Sequence, residues 1–344
     1  MSPTSTMGAA DTQGRRRGQA ITTRRRWQAA LSLPETMLSI GLCMPLVLGA
    51  VSLLCTSVNE QSLSHQTLLM EQEAQYALNL IANVAQLAGH HDPLTIAPLT
   101  IAPLHTQPRL QGMDDATLAA RTAIEAGRSG PGPFGSDVLI VRFSGGKASG
   151  YSPLNCAGMP VHSGDAGATG AGDLAADDQG YSIFYVARGP GGEYELRCKY
   201  RTPGGWDSEA LVQGVGSFQV LYGLDRDGDG LPEQFLRAGA ITDQISSGTS
   251  GTSGTPGASG TSLWNRVVAL RIALLLHSTQ RVQQPLTPMT WNLFGDAYSM
   301  HHASIDRGTQ LSDEDFTGAL RYRLRRNYEQ LIFIRNPSSV AASE

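Results

Sequence analysis

The residues best suited to chemistry in this chain are Asp225-Arg226-Asp227-Gly228-Asp229-Gly230. Carboxylates at alternate positions can converge on one hard cation, and the glycine between them permits a sharp turn, so Asp225, Asp227 and Asp229 are candidate calcium ligands. The pattern matches the first half of a calcium loop. Its twelfth position is Leu236, where a bidentate glutamate would stand, and Glu233 is the carboxylate placed to reach back. An acidic turn between two strands is the competing reading of the same residues.

Cysteine offers the second chemistry. Cys156 and Cys198 both fall in the C-terminal part of the chain and are expected to pair, because a disulfide persists in an oxidising, exported location. Two free thiols are the alternative. Cys43 and Cys55 lie in an apolar run and read as small apolar residues. Enzyme signatures are poor: Gly146-Lys147-Ala148 lacks the hydroxyl residue and upstream glycine of a phosphate loop, and the chain has neither a G-x-S-x-G elbow nor an H-E-x-x-H helix. His90-His91 and His301-His302 are adjacent pairs, which do not share a helical face. No reaction is assigned, and no cofactor is expected beyond the candidate calcium ion.

Glu35 is the only charge between Trp27 and Asn59. From Thr36 to Ser57 the chain is uncharged and covers about 33 Å as a helix, enough to cross a bilayer core. Upstream stand Arg15, Arg16, Arg17, Arg24, Arg25 and Arg26 against the single acid Asp11. Arginines clustered beside a first span hold that flank in the cytoplasm, so everything after Asn59 is expected to be exported. A secretory signal peptide places its small residues after the apolar run; here Ala29 and Ala30 precede it. The 344 residues carry a net charge of −4, and much of the basic charge sits in the leader, which argues against a nucleic-acid partner. A membrane-anchored globular domain fits these values.

The elements that must position these residues follow from periodicity. Leu63, Leu68, Met70, Ala74, Ala77, Leu78, Ile81, Val84 and Leu87 recur at three- and four-residue steps, so one long helix is expected from about Leu33 to Ala88, with Gly89 as its stop and Pro93, Pro98 and Pro103 beyond it. Pro45 removes one backbone hydrogen bond inside the span. A short helix is expected over 114–126, capped by Asp114, with Leu118 and Ile124 packing. Strands are expected at 137–143, 181–186, 194–198 and 218–224. The run from Trp264 to Leu276 is long enough for strand or helix. Low-complexity stretches at 164–180 and 246–262 read as loops. The fold class is α+β: a long N-terminal helix with a membrane-spanning first half, then an antiparallel β-sheet head with long loops.

A basic leader, a cut just before an apolar helix and a glutamate at its fifth position resemble the class III leader of type IV prepilins and pseudopilins. On that resemblance Ala30 and Leu31 flank the cleavage site, where the family usually has glycine and phenylalanine, and Glu35 pairs with the new N-terminal amine of a neighbouring subunit during assembly. The resemblance sharpens to the PilW family of minor pilins on Glu73-Ala74-Gln75-Tyr76-Ala77-Leu78-Asn79-Leu80-Ile81, Leu87-Ala88-Gly89, Gly135-Ser136-Asp137-Val138-Leu139 and Leu211-Val212-Gln213-Gly214-Val215. Phe218 to Gly223, the acidic loop and the 264–276 run continue it. It implies a leader over 1–30, a pilin helix over 31–89 and a periplasmic or extracellular head over 90–344. It further implies a minor pilin in the inner membrane, then in the pilus, joining other minor pilins and the major pilin in an initiating tip complex. A prepilin peptidase would process it, it would carry a tip adhesin, and it would serve adhesion or twitching motility. A minor pseudopilin of a type II secretion system has the same helix and leader. A membrane-tethered periplasmic binding or enzymatic domain is the third reading.

Overall fold

The computed structural model describes residues 32–90, 108–124, 127–145, 152–161, 179–246, 261–281 and 288–335. The chain divides into two units, 1–59 and 60–344. Helix α1, Leu33–Ala85, contributes to both, and Pro45 lies inside it. Over Leu33–Val58 its apolar side chains, including Leu38, Leu42, Leu46 and Leu54, are exposed. Among the described residues it is the one helix long and apolar enough to cross a membrane.

In the second unit the same helix becomes one-sided. Met70, Ala74, Ala77, Leu78, Ile81 and Ala85 are buried, at the three- and four-residue spacing of a single face. The last turn tightens, with Ala88 bonding back to Ala85, and Gly89 ends it at a φ of 72°, where a side chain would be strained. The helix stops three residues before the expected Ala88, and the expected stop at Gly89 is where the chain turns away.

The head contains two antiparallel sheets. The first has strands β1 Leu110–Met113, β2 Val138–Ser144, β3 Gln179–Arg188, β4 Tyr194–Thr202 and β5 Gly205–Gln213, in that spatial order. The second is built from β6 Val215–Leu224, β7 Gln234–Leu236, β8 Val267–Arg281 and β11 Arg323–Phe333, ordered β11-β8-β6-β7. Short helices α2 Ala238–Ser246 and α3 Thr261–Asn265 lie between β7 and β8. Between β8 and β11 the chain makes an excursion containing β9 Thr290–Asn292, helix α4 Asp296–His302 and β10 Gln310–Ser312, with β9 and β10 paired.

The ambiguous 264–276 run divides in two. Trp264 ends α3 with its ring edge-on to Tyr222 at 4.9 Å, and β8 starts at Val267. The strand lacks alternation because neither of its faces is wet: Leu270, Ile272, Leu274 and Leu276 join the α1 core, while Ala273 and Leu275 lie under Trp291, Leu293, Phe294 and Phe316 of the excursion. Strands covered on both faces read as continuous apolar runs. The same holds for β6, where Phe218, Val220 and Tyr222 face α1 and Leu221 faces the excursion.

One expected element is absent. Residues 114–124 form turns and a bridge from Thr117 to Gly130, with no α-helix. Asp115 takes a φ of 44°, which an α-helix excludes, and the Lys199 ammonium donates to the carbonyls of Ala119 at 2.7 Å and Thr122 at 2.6 Å, occupying acceptors a helix would use. Leu118 and Ile124 still pack, against the outer face of the first sheet near Ile183 and Tyr185. The low-complexity stretches lie mostly outside the described residues, although Gln179 and Gly180 open β3 and Thr261 and Ser262 begin α3.

Asp114 does cap a helix, a distant one. Its Oδ1 accepts the Ala238 amide at 2.9 Å, its Oδ2 accepts the Gly239 amide at 2.8 Å, and the Arg237 guanidinium donates to Oδ2 at 2.7 Å. Two orphan donors of α2 are thereby satisfied. Replacing Asp114 by Ala is expected to destabilise the head by about 1–2 kcal/mol, with Asn retaining part of the loss, as read by denaturant unfolding of the full chain in detergent. Equal stability of Asp114→Ala and the parent would remove the cap from the account.

Candidate functional site

Three features carry the functional residues expected from the sequence. The first is α1. Ala30 and Leu31 lie outside the described residues. Glu35 sits in the first turn of the helix and is exposed. A carboxylate there is favoured by the positive end of the helix dipole. No ion pair involves Glu35 among the described residues. Over Glu60–Ala85, the face turned from the head carries Gln61, Leu68, Gln72, Gln75, Tyr76, Asn79 and Asn83. Leu68 and Tyr76 are more than half exposed on this stripe, which His65 and Glu71, also exposed, adjoin.

The second feature is the disulfide. Cys156 and Cys198 are bonded, with Cα atoms 5.9 Å apart and 42 residues between them in sequence number. Cys198 is on β4 and faces the α1 core. Cys156 reaches it from a turn held by Asn155, whose side-chain oxygen accepts the amides of Ala157 and Met159, both at 3.0 Å. The Ser182 hydroxyl accepts the Cys156 amide at 3.0 Å, so the turn is fastened to β3 as well. Cys43 and Cys55 are free and exposed along the first half of α1.

The third is the β6–β7 connection. Asp225, Asp227, Asp229 and Glu233 each offer one oxygen, and these four atoms all lie within 4.8 Å of one another. Glu233 does reach back, its Oε2 accepting the Arg226 amide at 2.7 Å. Asp225 accepts the amides of Gly228 at 2.6 Å and Gly230 at 2.8 Å, and both glycines take positive φ, 88° and 85°, which closes the turn without steric cost. Asp229 Oδ1 accepts the Leu231 amide at 2.7 Å. The backbone alone therefore holds this acidic cluster together, and the remaining carboxylate oxygens suit a hard cation by chemistry and by spacing.

Sequence reading missed a buried acidic group behind the second sheet. Asp137, fully buried before β2, accepts the Asp115 amide at 3.2 Å and the Val220 amide at 2.9 Å. Burial pushes its carboxyl well above the ordinary range, and the nearby charges of Asp114 and Asp306 add to this. Asp306, in the excursion, is equally sequestered. Nothing in the sequence near Asp306 signals burial. The fixed Gly-Ser-Asp-Val order before β2 gave the only hint for Asp137.

A shallow groove of about 440 Å³ runs past Leu118, Tyr185, Arg188, Pro190 and Arg197. Tyr185 is bonded to Ser208 at 2.9 Å, and Arg197 is committed to Glu195 at 2.6 Å and to Ser208. The groove holds no nucleophile–base pair among its lining residues. His301 and His302 end α4, where the His302 ring stacks on Tyr298 at 4.4 Å, while His91, Gly146 and Lys147 lie outside the described residues.

The family described as Type IV Pilus-assembly protein W, PilW, matches residues 183–336. Over that stretch the chain is similar to the PilW family. The match starts within β3 and runs past β11, taking in Cys198, the acidic loop and the whole second sheet, a little under half of the chain. It does not reach α1 or the Gly135–Leu139 block that also resembles PilW. No curated protein and no solved structure matches the chain. PilW is an assembly family, and its region here contains the strands that hold the disulfide and the loop. Opening the 42-residue covalent loop with paired Cys156→Ser and Cys198→Ser substitutions is expected to cost about 4 kcal/mol on the chain-entropy argument. Thermal melts of the full chain with and without reductant check it, and unchanged melting would reduce the bond to a bystander.

Proposed function

We propose that this chain is a structural minor pilin of the type IV pilus that takes part in assembly initiation at the tip with other minor pilins. The PilW match supports a role in pilus assembly. The observation that carries the finer reading is the double use of α1: an exposed apolar half whose one charge is Glu35, continued by a half whose inner face joins the core of the head. A helix of that kind lets a subunit rest in the inner membrane with its head in the periplasm, then leave the lipid by exchanging it for the helices of neighbours. The exposed Leu68, Tyr76 and amides let packing continue beyond the lipid, with Glu71 at the edge of that surface. A pseudopilin of a type II secretion system would use the same construction, and pilus genes beside this one would separate the two.

The leader and Glu35 are tested together. The mature N-terminus is expected at Leu31 in cells with the prepilin peptidase, with the leader retained in cells without it. Glu35→Ala is expected to leave membrane insertion intact and to impair pilus initiation. An uncut leader in both strains, or normal piliation by Glu35→Ala in cells that need this protein, would overturn the pilin reading.

We also propose that Asp225, Asp227, Asp229 and Glu233 bind calcium. Millimolar calcium is expected to raise the melting temperature of the full chain over that in chelator, by mass action, and paired Asp227→Asn and Asp229→Asn changes to remove the shift. Identical melting with calcium and with chelator would leave the loop as an acidic turn.

A further inference from the structure

Asp306 is 2% exposed, so its carboxyl must find its partners within the protein. It finds one. The Tyr298 hydroxyl donates to Oδ2 at 2.7 Å, and Oδ1 has no hydrogen-bond partner among the described residues. A buried carboxylate oxygen left in that state costs more than the same group protonated.

The charges facing it do not relieve this cost. Arg237 is held by Asp114 at 2.7 Å and also approaches Asp243 at 3.9 Å. Arg307 is 72% exposed and turns to Asp115, 3.7 Å away, and Asp115 has its own Oδ1 buried without a partner. Asp137 spends both oxygens on backbone amides. The Tyr222 hydroxyl, also buried, has no partner. Asp114, Asp137 and Asp306 thus face a single guanidinium that is already committed.

We propose that α4 and the turn to Asp306 form a proton-locked latch, seated on the head while Asp306 carries a proton and loosened when that proton passes to solvent. The rest of the excursion is fastened by other means. Gln219 Nε2 donates to the carbonyls of Gly135 at 2.7 Å and Arg307 at 3.3 Å, the Ser217 hydroxyl donates to Gly308 at 3.2 Å, and Trp291, Leu293 and Phe294 bury their side chains beside β8. The segment between these anchors, residues 296–306, is held at its start by Asn292 donating to Asp296 at 2.5 Å and by the Tyr298 ring edge-on to Phe294 at 5.4 Å, and at its far end by the buried acid.

Burial pushes the Asp306 carboxyl from 3.8 up to about 6, with Asp114 adding to the rise while Tyr298 and Arg237 oppose it. A group raised in the folded state holds its stabilising effect below its unfolded value and loses it as pH climbs through its folded one. The latch is therefore tight in acid and slack above about pH 6. His277 works the other way: burial lowers its imidazole from 6.5 to about 4, so its contribution is lost as pH falls through that interval. Global melting mixes these titrations with that of Asp137, whose carboxyl burial also raises, so the readout must be local.

Hydrogen exchange of the full chain in detergent, at about pH 5 and about pH 8 with labelling times scaled for intrinsic chemistry, isolates the segment. Peptides covering 296–306 are expected to exchange several-fold faster at the higher pH relative to peptides of β6. Asp306→Asn, which keeps the shape of the protonated acid, is expected to stay protected at both. Tyr298→Phe is expected to speed exchange of the same peptides at the lower pH. Equal relative exchange of the parent chain at both values, or persistent pH dependence in Asp306→Asn, would overturn the latch. So would restoration of protection at the higher pH by millimolar calcium, because a cation would then be doing what the proton is assigned here.

Discussion

Strands β6 and β8 have no wet face, and the rest of the head is arranged to cover them. Their even-numbered residues need an apolar cover on one side, and α1 supplies it with Ala74, Ala77, Leu78, Ile81 and Ala85. Leu78, Ile81 and Val84 join the alanines of the helix in one core with residues of both sheets. Their odd-numbered residues, Leu221, Ala273 and Leu275, need a second cover, and the excursion exists to provide it. Removing either cover would expose a continuous apolar surface, a condition that invites association.

This constraint explains which parts of the fold were legible in the sequence. The helix was readable because its second half has one dry side and keeps a clean period. Strands β2, β3 and β4 were readable as β-branched and aromatic runs. The 264–276 run was not, because a segment dry on both sides loses the alternation that separates strand from helix. The expected helix at 114–126 failed for a different reason. Its acceptors are taken by Lys199, about 80 residues away in sequence, and its capping aspartate serves α2, over 120 residues away. Local pattern cannot report contacts at such separations.

Site residues divide in the same way. The acidic loop was readable because alternating aspartates and glycines are a local signature, and its carboxylates accept amides from within the loop. The cysteine pair was expected from its exported setting, and the structure adds the reach that sequence could not give, a Cα separation of 5.9 Å. Glu35 stood out as the one charge in an uncharged stretch. Asp306 was invisible: an aspartate between an isoleucine and an arginine looks like a surface residue until the excursion folds it under.

The excursion also has a kinetic side. Arg281 at the end of β8 pairs with Arg323 at the start of β11, so two neighbouring strands are joined by roughly forty residues instead of a tight turn. Closing that span from an open chain costs loop entropy before any ladder bond repays it, and pairings of this kind form slowly. Collapse of Trp291, Phe294 and Phe316 onto β8 brings the two ends together first and shortens the search. β11 lies at one edge of the sheet, and its ladder to β8 needs the excursion to return Arg323 to Arg281. The last strand of the second sheet thus depends on the excursion for its closure.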